Sequence, residues 1–118
     1  MGFSITAKDE PTVYWAGDTV LYPAIETIIA DTKPEIIIIH ACGARWDGDL
    51  IVMDAAEAVA TCRLAPDATV IATHMDSLDH ATVSRDELRR HATGQGISLQ
   101  QLLIPLDGEM LQQISKEA

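Results

Sequence analysis

The sequence predicts a single α/β domain built on one mixed sheet with helices, because strand and helix patterns alternate along its length. The run Ile36–Ile39 consists of β-branched residues without polar alternation, which is typical of a central strand covered on both faces. Two alternating segments, 3–7 and 12–16, flank the polar stretch 8–11, and this pattern predicts a β-hairpin. The 118 residues contain no linker, repeat or low-complexity stretch, so we expect one domain over 1–118.

The remaining elements follow from periodicity and capping residues. Asp54 with Glu57, and Ser84 with Glu87, have the spacing of capping boxes and predict helix starts. After the hairpin we predict, in chain order, a helix over 22–30, a strand over 35–40, a helix over 54–64, a strand over 69–73, a helix over 84–93, a strand over 99–104 and a short helix over 108–114. Segments 41–49 and 74–80 are predicted loops. This order predicts a sheet with a parallel core and right-handed crossovers.

Charge and composition exclude some function classes. The formal net charge is −10, from 18 acidic and 8 basic residues, which argues against nucleic acid or an anionic membrane as a partner. No apolar run is long enough to span a bilayer, and the N-terminus lacks a signal-peptide pattern. The 2 cysteines form no CxxC pair, so a reducing cytoplasm is the expected compartment.

Three chemically active side chains follow predicted strands. Asp18 comes after the hairpin's second strand, His40 ends the strand over 35–40, and His74 follows the strand over 69–73. Ligands collect at the carboxyl ends of parallel strands, and a carboxylate with imidazoles suits a metal ion. The alternatives are that Asp18 caps the following helix and that His74 is a hydrogen-bonded loop residue.

Further candidates lie next to these positions. His40 and Cys42 share one side if the strand continues, and imidazole with thiolate suits zinc; a buried free thiol is the alternative. His80 and Asp76 lie in the same predicted loop as His74, where they would either assist a metal or be solvated.

The predicted loop over 41–49 adds acidic and aromatic side chains. Asp47 and Asp49 make the rim of the strand ends negative, which favours a cation or a basic ligand. Trp46 is the best anchor for a partner that docks there, or else it covers the edge of the core.

Five short motifs in a fixed order carry a resemblance to a known family. Together they resemble the C-terminal half of metallo-β-lactamase-fold hydrolases, in the lactonase-like branch. The motifs are Tyr14-Trp15-Ala16-Gly17-Asp18-Thr19, Lys33-Pro34-Glu35-Ile36-Ile37, Met53-Asp54-Ala55, Ala72-Thr73-His74-Met75-Asp76 with His80, and Pro105-Leu106-Asp107-Gly108-Glu109. The resemblance implies half of an αββα sandwich, with Asp18 as the aspartate that bridges two metal ions and His74 as the last metal histidine. It also implies zinc or another divalent metal as cofactor, with a chain that binds no metal as the alternative.

The chain departs from the family's pattern in its metal ligands. The motif His-x-His-x-Asp-His is absent, and no histidine precedes His40. We therefore expect a truncated protein without hydrolase activity on its own, acting as a dimeric binding or interaction module. The alternative is a metal-dependent hydrolase whose reduced site is completed by a dimer mate or by a separate chain that supplies the N-terminal half.

A half sandwich leaves one apolar sheet face without its partner sheet. A face of ~600–800 Å² exceeds what monomers commonly expose. At ~25 cal/mol per Å², leaving it in water forgoes up to ~15–20 kcal/mol, more than the ~5–15 kcal/mol of typical net stability. We therefore predict a homodimer through this face, because a two-fold pair imitates the sandwich.

Overall fold

The computed structural model describes residues 2–75 and 81–111. Its elements, in chain order, are β1 (Phe3–Ile5), β2 (Val13–Gly17), α1 (Pro23–Thr32), β3 (Ile36–His40), β4 (Arg45–Trp46), β5 (Asp49–Leu50), α2 (Ala55–Leu64), β6 (Thr69–Thr73), α3 (Arg85–Gly94) and β7 (Leu102–Leu103). None of the helices in this part of the chain is long and apolar enough to cross a membrane.

The main sheet is mixed and five-stranded, in the order β1-β2-β3-β6-β7. β1 pairs with β2 antiparallel, and the other three pairings are parallel. The predicted α/β class with one mixed sheet and a parallel core is therefore confirmed. β2, β3 and β6 are neighbours, so their carboxyl ends lie side by side at one edge.

One face of the sheet is covered by the three helices. Alternate strand residues point into this layer and are almost fully buried: Tyr14, Ala16, Ile37, Ile39, Val70, Ala72 and Leu102. They form one core cluster with helix residues such as Ile29, Val59 and Leu88. Because side chains alternate across a strand, the intervening residues belong to the opposite face.

That opposite face, here called the open face, has no covering layer among the described residues. Strand register places the following side chains on it: Phe3, Ile5, Val13, Trp15, Ile36, Ile38, His40, Thr69, Ile71, Thr73 and Leu103. All are partly or largely exposed, and none is Asp, Glu, Lys or Arg. The expectation that the Ile36–Ile39 strand is covered on both faces is therefore wrong for the described chain, which covers one.

The helix starts follow the capping residues. Asp54 accepts a hydrogen bond from the backbone N–H of Glu57, and Ser84 accepts one from that of Glu87. These bonds satisfy N–H groups that have no partner inside the helix.

The structure corrects three element predictions. The segment predicted as a loop over 41–49 contains the small hairpin β4–β5, whose turn residues Asp47 and Gly48 have φ of 52° and 86°. Positive φ at both central residues marks a type I′ turn, so the Asp-Gly pair already indicated a hairpin. The strand predicted over 99–104 is limited to Leu102–Leu103, and residues 108–111 of the predicted last helix are not helical. The rest of that helix lies outside the described residues.

Candidate metal centre

Asp18 lies immediately after β2, at the edge where the parallel strands end. The register of β2 against β3 shifts between Trp15 and Gly17, and Gly17 has φ 73°, a conformation that glycine adopts without strain. The chain thereby leaves the sheet at Gly17. The side chain of Asp18 is 62% exposed.

The helix-capping alternative for Asp18 is wrong. Helix α1 begins at Pro23, and its N-cap residue is Tyr22, which makes no side-chain cap bond. Asp18 is too far upstream to serve that N-terminus, and its carboxylate interacts with histidines instead.

His40 and His74 reach the same edge from the two neighbouring strands. His40 is the last residue of β3 and pairs with Thr73, the last residue of β6. His74 follows directly and has φ 65°, which is uncommon for a residue other than glycine. Strained backbone of this kind concentrates at functional sites.

The three side chains converge on one carboxylate oxygen. Nδ1 of His40 lies 2.5 Å from Oδ1 of Asp18, and Nε2 of His74 lies 3.8 Å from that same oxygen. The two imidazole rings are stacked, with centroids 4.4 Å apart and an angle of 9° between their planes. One ligand atom from each of the three residues lies within 4.8 Å of the others.

The histidines also set the electrostatics of Asp18. The hydrogen bond from His40 lowers the pKa of the Asp18 carboxyl, and the nearby His40 and His74 add to this, while partial burial opposes it. The carboxylate is therefore ionised at neutral pH, as a metal ligand must be.

Trp15 supports this site, a contact that sequence reasoning missed. Its ring meets the His40 ring edge-on at a centroid distance of 5.5 Å, and Phe3 packs on its other side at 5.0 Å. The contact between Trp15 and His40 could have been predicted from strand alternation, because the two residues fall on one face of neighbouring strands. The site is thus continuous with the aromatic end of the open face.

The donor set fits a divalent transition metal. Two imidazole nitrogens and one carboxylate oxygen are ligands that zinc and related ions accept.

Among the described residues, Cys42 is a sequence candidate that is not part of this group. Cys42 is fully buried and packs with Ala44 and Val52 in a second small core, where burial raises the pKa of its thiol. A neutral buried thiol is a poor metal ligand, so the free-thiol alternative is favoured. His80 and Asp76 lie outside the described residues.

The hairpin β4–β5 follows β3 and is tied back towards Asp18. The backbone N–H of Met53, after the hairpin, donates to the carbonyl of Thr19, 3.0 Å away. Trp46 is 66% exposed on this hairpin, and Asp47 and Asp49 are exposed beside it. These residues remain candidates for contacts with a ligand or partner.

No protein-family model matches the chain. A curated relative, the UPF0173 protein YddR of Bacillus subtilis, is 38% identical over 109 residues, which are 92% of this chain and 42% of the relative. The chain therefore spans less than half of the length of this relative.

Solved structures also match most of this chain and less than half of their own length. A possible metal-dependent hydrolase from Veillonella parvula superposes with a TM-score of 0.86 and 34% identity, over 92% of this chain and 42% of that one. An isothiocyanate hydrolase from Delia radicum gut bacteria gives 0.83 and 35%, over 92% and 41%. The metallo-β-lactamase fold protein YhfI of Bacillus subtilis, at 19% identity and a TM-score of 0.63 over 88% of this chain and 39% of that one, shares the fold. This chain is therefore homologous to about two fifths of the length of these relatives, two of them described as hydrolases, and it has part of the metallo-β-lactamase fold.

Proposed function

We propose that this chain carries part of the metal centre of a metal-dependent hydrolase, with Asp18 and His74 as ligands of a divalent ion. The observation that carries the proposal is the approach of His74 Nε2 to Asp18 Oδ1, 3.8 Å apart at adjoining strand ends. These are the two residues to which the family resemblance assigns metal-binding roles. The similarity to a possible metal-dependent hydrolase supports the same activity.

The chemistry of such a site divides between the ion and the chain. A divalent ion would supply activation of a water molecule and polarisation of the bond to be hydrolysed. The chain's own residues hold the carboxylate ionised and oriented, through the contact from His40. The exposed Asp18 side chain leaves the site open to solvent and substrate. Because one relative is an isothiocyanate hydrolase, small electrophilic molecules of that class are the first substrates to assay.

We propose that hydrolysis requires polypeptide beyond this chain. More than half of each relative's length lies outside the match. The open face borders the site, so a polypeptide layer on that face would lie next to Asp18 and could add ligands. A dimer mate and a separate chain that supplies the family's N-terminal half are the two sources to distinguish.

Metal analysis of the purified chain tests the metal role. We expect zinc, or another divalent transition metal, to bind with about one ion per chain, and Asp18→Asn and His74→Gln to weaken binding by about tenfold or more. His91→Gln, on the exposed surface of α3, is the matched control and leaves binding unchanged. Equal metal content in all four proteins would contradict the proposal.

A second candidate function is a dimeric interaction module without hydrolase activity. The observation that favours it is the largely apolar open face, which bears no Asp, Glu, Lys or Arg and so offers two copies a contact surface without directly opposed like charges. Isologous pairing of this face would also cover Ile38 and Ile71, which are only partly buried in the single chain.

Light scattering after size-exclusion chromatography tests the dimer. We expect a dimer at micromolar concentration, and Ile38→Asp should convert it to a folded monomer because a charge would be buried in the contact. Ile28→Asp changes a residue that is 36% exposed on helix α1, away from the open face, and serves as the control. A monodisperse wild-type monomer would rule out the homodimer, and association that appears only with an added N-terminal-half polypeptide would favour the separate chain.

A further inference from the structure

We infer that His40 is a third protein ligand of this metal site, so that a single chain supplies two imidazoles and one carboxylate to one ion. The family resemblance assigns metal roles to Asp18 and His74 alone. The inference rests on the proposed metal role of those two residues and adds a ligand to the same site.

The main argument is that His40 and His74 approach the same oxygen of Asp18. Here Nδ1 of His40 and Nε2 of His74 both approach Oδ1 of Asp18, at 2.5 Å and 3.8 Å. Two ring nitrogens and one oxygen therefore lie close together, and one ligand atom from each of the three residues lies within 4.8 Å of the others.

The second argument is that packing holds the His40 ring in place. His40 and His74 follow neighbouring strands, and their ring centroids lie 4.4 Å apart. The side chain of His40 is only 13% exposed, and the Trp15 ring packs against it edge-on. A ligand whose ring is fixed by packing loses little conformational freedom when it binds an ion.

The number of ligands also fits a catalytic site. Hydrolytic zinc sites commonly have three protein ligands and keep a fourth position for water or substrate. Asp18, His40 and His74 supply that number, and the exposure of Asp18 leaves one side of the site open. The chain should therefore bind one ion by itself, even though catalysis requires further polypeptide.

A positioning role for His40 makes a different prediction from a ligand role. Loss of the hydrogen bond to Asp18 would itself weaken metal binding by about 10–100-fold, so affinity alone does not separate the two roles. The number of imidazoles bound to the ion does separate them.

The test is proton NMR of the purified chain loaded with Co²⁺, in which ring N–H signals of metal-bound histidines are shifted far from the diamagnetic range. We expect two shifted ring N–H signals in the wild type and one in His40→Gln. The Zn²⁺ affinity of that variant, measured by competition with a chelator, should fall about tenfold or more. His80→Gln and His91→Gln should keep both signals, and circular dichroism checks that each variant is folded.

The outcomes separate the two proposals. One shifted signal in the wild type, lost in His74→Gln, would overturn the role of His40 and leave the proposed metal function intact. Two shifted signals in the wild type, with one lost in His80→Gln and both kept in His40→Gln, would also overturn the ligand role of His40. The wild-type count needs no variant, so a misfolded His40→Gln does not prevent a decision. A chain that binds neither ion would overturn both proposals.

Discussion

The two faces of the central sheet have similar apolar composition and differ in what covers them. Ile37 and Ile39 of β3 are fully buried under the helices, whereas Ile36 and Ile38 of the same strand point to the open face. The side chains on the helix-covered face pack into the described hydrophobic core. The open face carries apolar residues with no matching layer in the described chain, and it ends at the metal-binding candidates.

This difference shows that the hydrophobic core and the candidate metal site use opposite faces of the same strand, β3. His40 follows the alternation of β3 and belongs to the open face, with Trp15 beside it. Any polypeptide layer added to the open face therefore adjoins the site. Substitutions on the two faces should accordingly separate stability from association and metal binding.

The largest expected effect is on the covered face. Ile37→Ala should lower the free energy of unfolding by about 2–5 kcal/mol, because it leaves a cavity among fully buried side chains. Ile38→Ala, the adjacent residue on the open face, should lower it by less than half as much in the monomer. Urea unfolding at low protein concentration measures both.

Equal losses for the two alanine variants at low concentration would contradict the comparison. A loss for Ile38→Ala that grows with protein concentration would instead show that a second copy covers the open face, since association adds to stability by mass action.

A smaller effect on stability is expected from the buried thiol of Cys62 in helix α2. Burial raises the pKa of Cys62 to about 11, and this thiol is fully buried in α2. A group whose pKa is raised by folding contributes its stability below the unfolded pKa and loses it as the pH rises towards the folded pKa. We therefore expect stability to fall between about pH 9 and 11, with Cys62 accounting for about 2–3 kcal/mol.

Cys62→Ala isolates this contribution, because the raised pKa values of Tyr14 and Cys42 remain in the variant. Denaturant midpoints from pH 8 to 11 should fall less steeply in Cys62→Ala than in the wild type. Parallel pH profiles would show that Cys62 is not the group that titrates on the covered side.

The smallest effects compare two aspartates, one that caps helix α2 and one in the candidate metal centre. Asp54→Ala removes the N-cap of helix α2 and should lower the free energy of unfolding by about 1 kcal/mol. Asp18→Ala removes an exposed carboxylate that caps no helix, so the metal-free chain should change by less than about 0.5 kcal/mol. Thermal unfolding with a chelator present compares the two, and a larger loss for Asp18→Ala would assign that residue a structural role.

Much of the fold was accessible from the sequence because its evidence is local. The Asp54 and Ser84 caps, the alternation of β2 and the isoleucine run of β3 each depend on residues close in the chain. The short strand β7 was overestimated, because an apolar segment that packs against the core need not complete a ladder. The β4–β5 hairpin was missed although its Asp47-Gly48 turn is a hairpin pattern.

For the site, the sequence by itself determined which residues follow strands: Asp18, His40 and His74. Strand periodicity and the positions of glycine and histidine in the chain suffice for that. Only the tertiary structure decided that the three converge on one carboxylate oxygen and that Asp18 caps no helix. The physical reason is that convergence depends on β2, β3 and β6 being neighbours and on the left-handed backbone at His74, and neither strand order nor backbone angle is encoded in a residue's immediate neighbours.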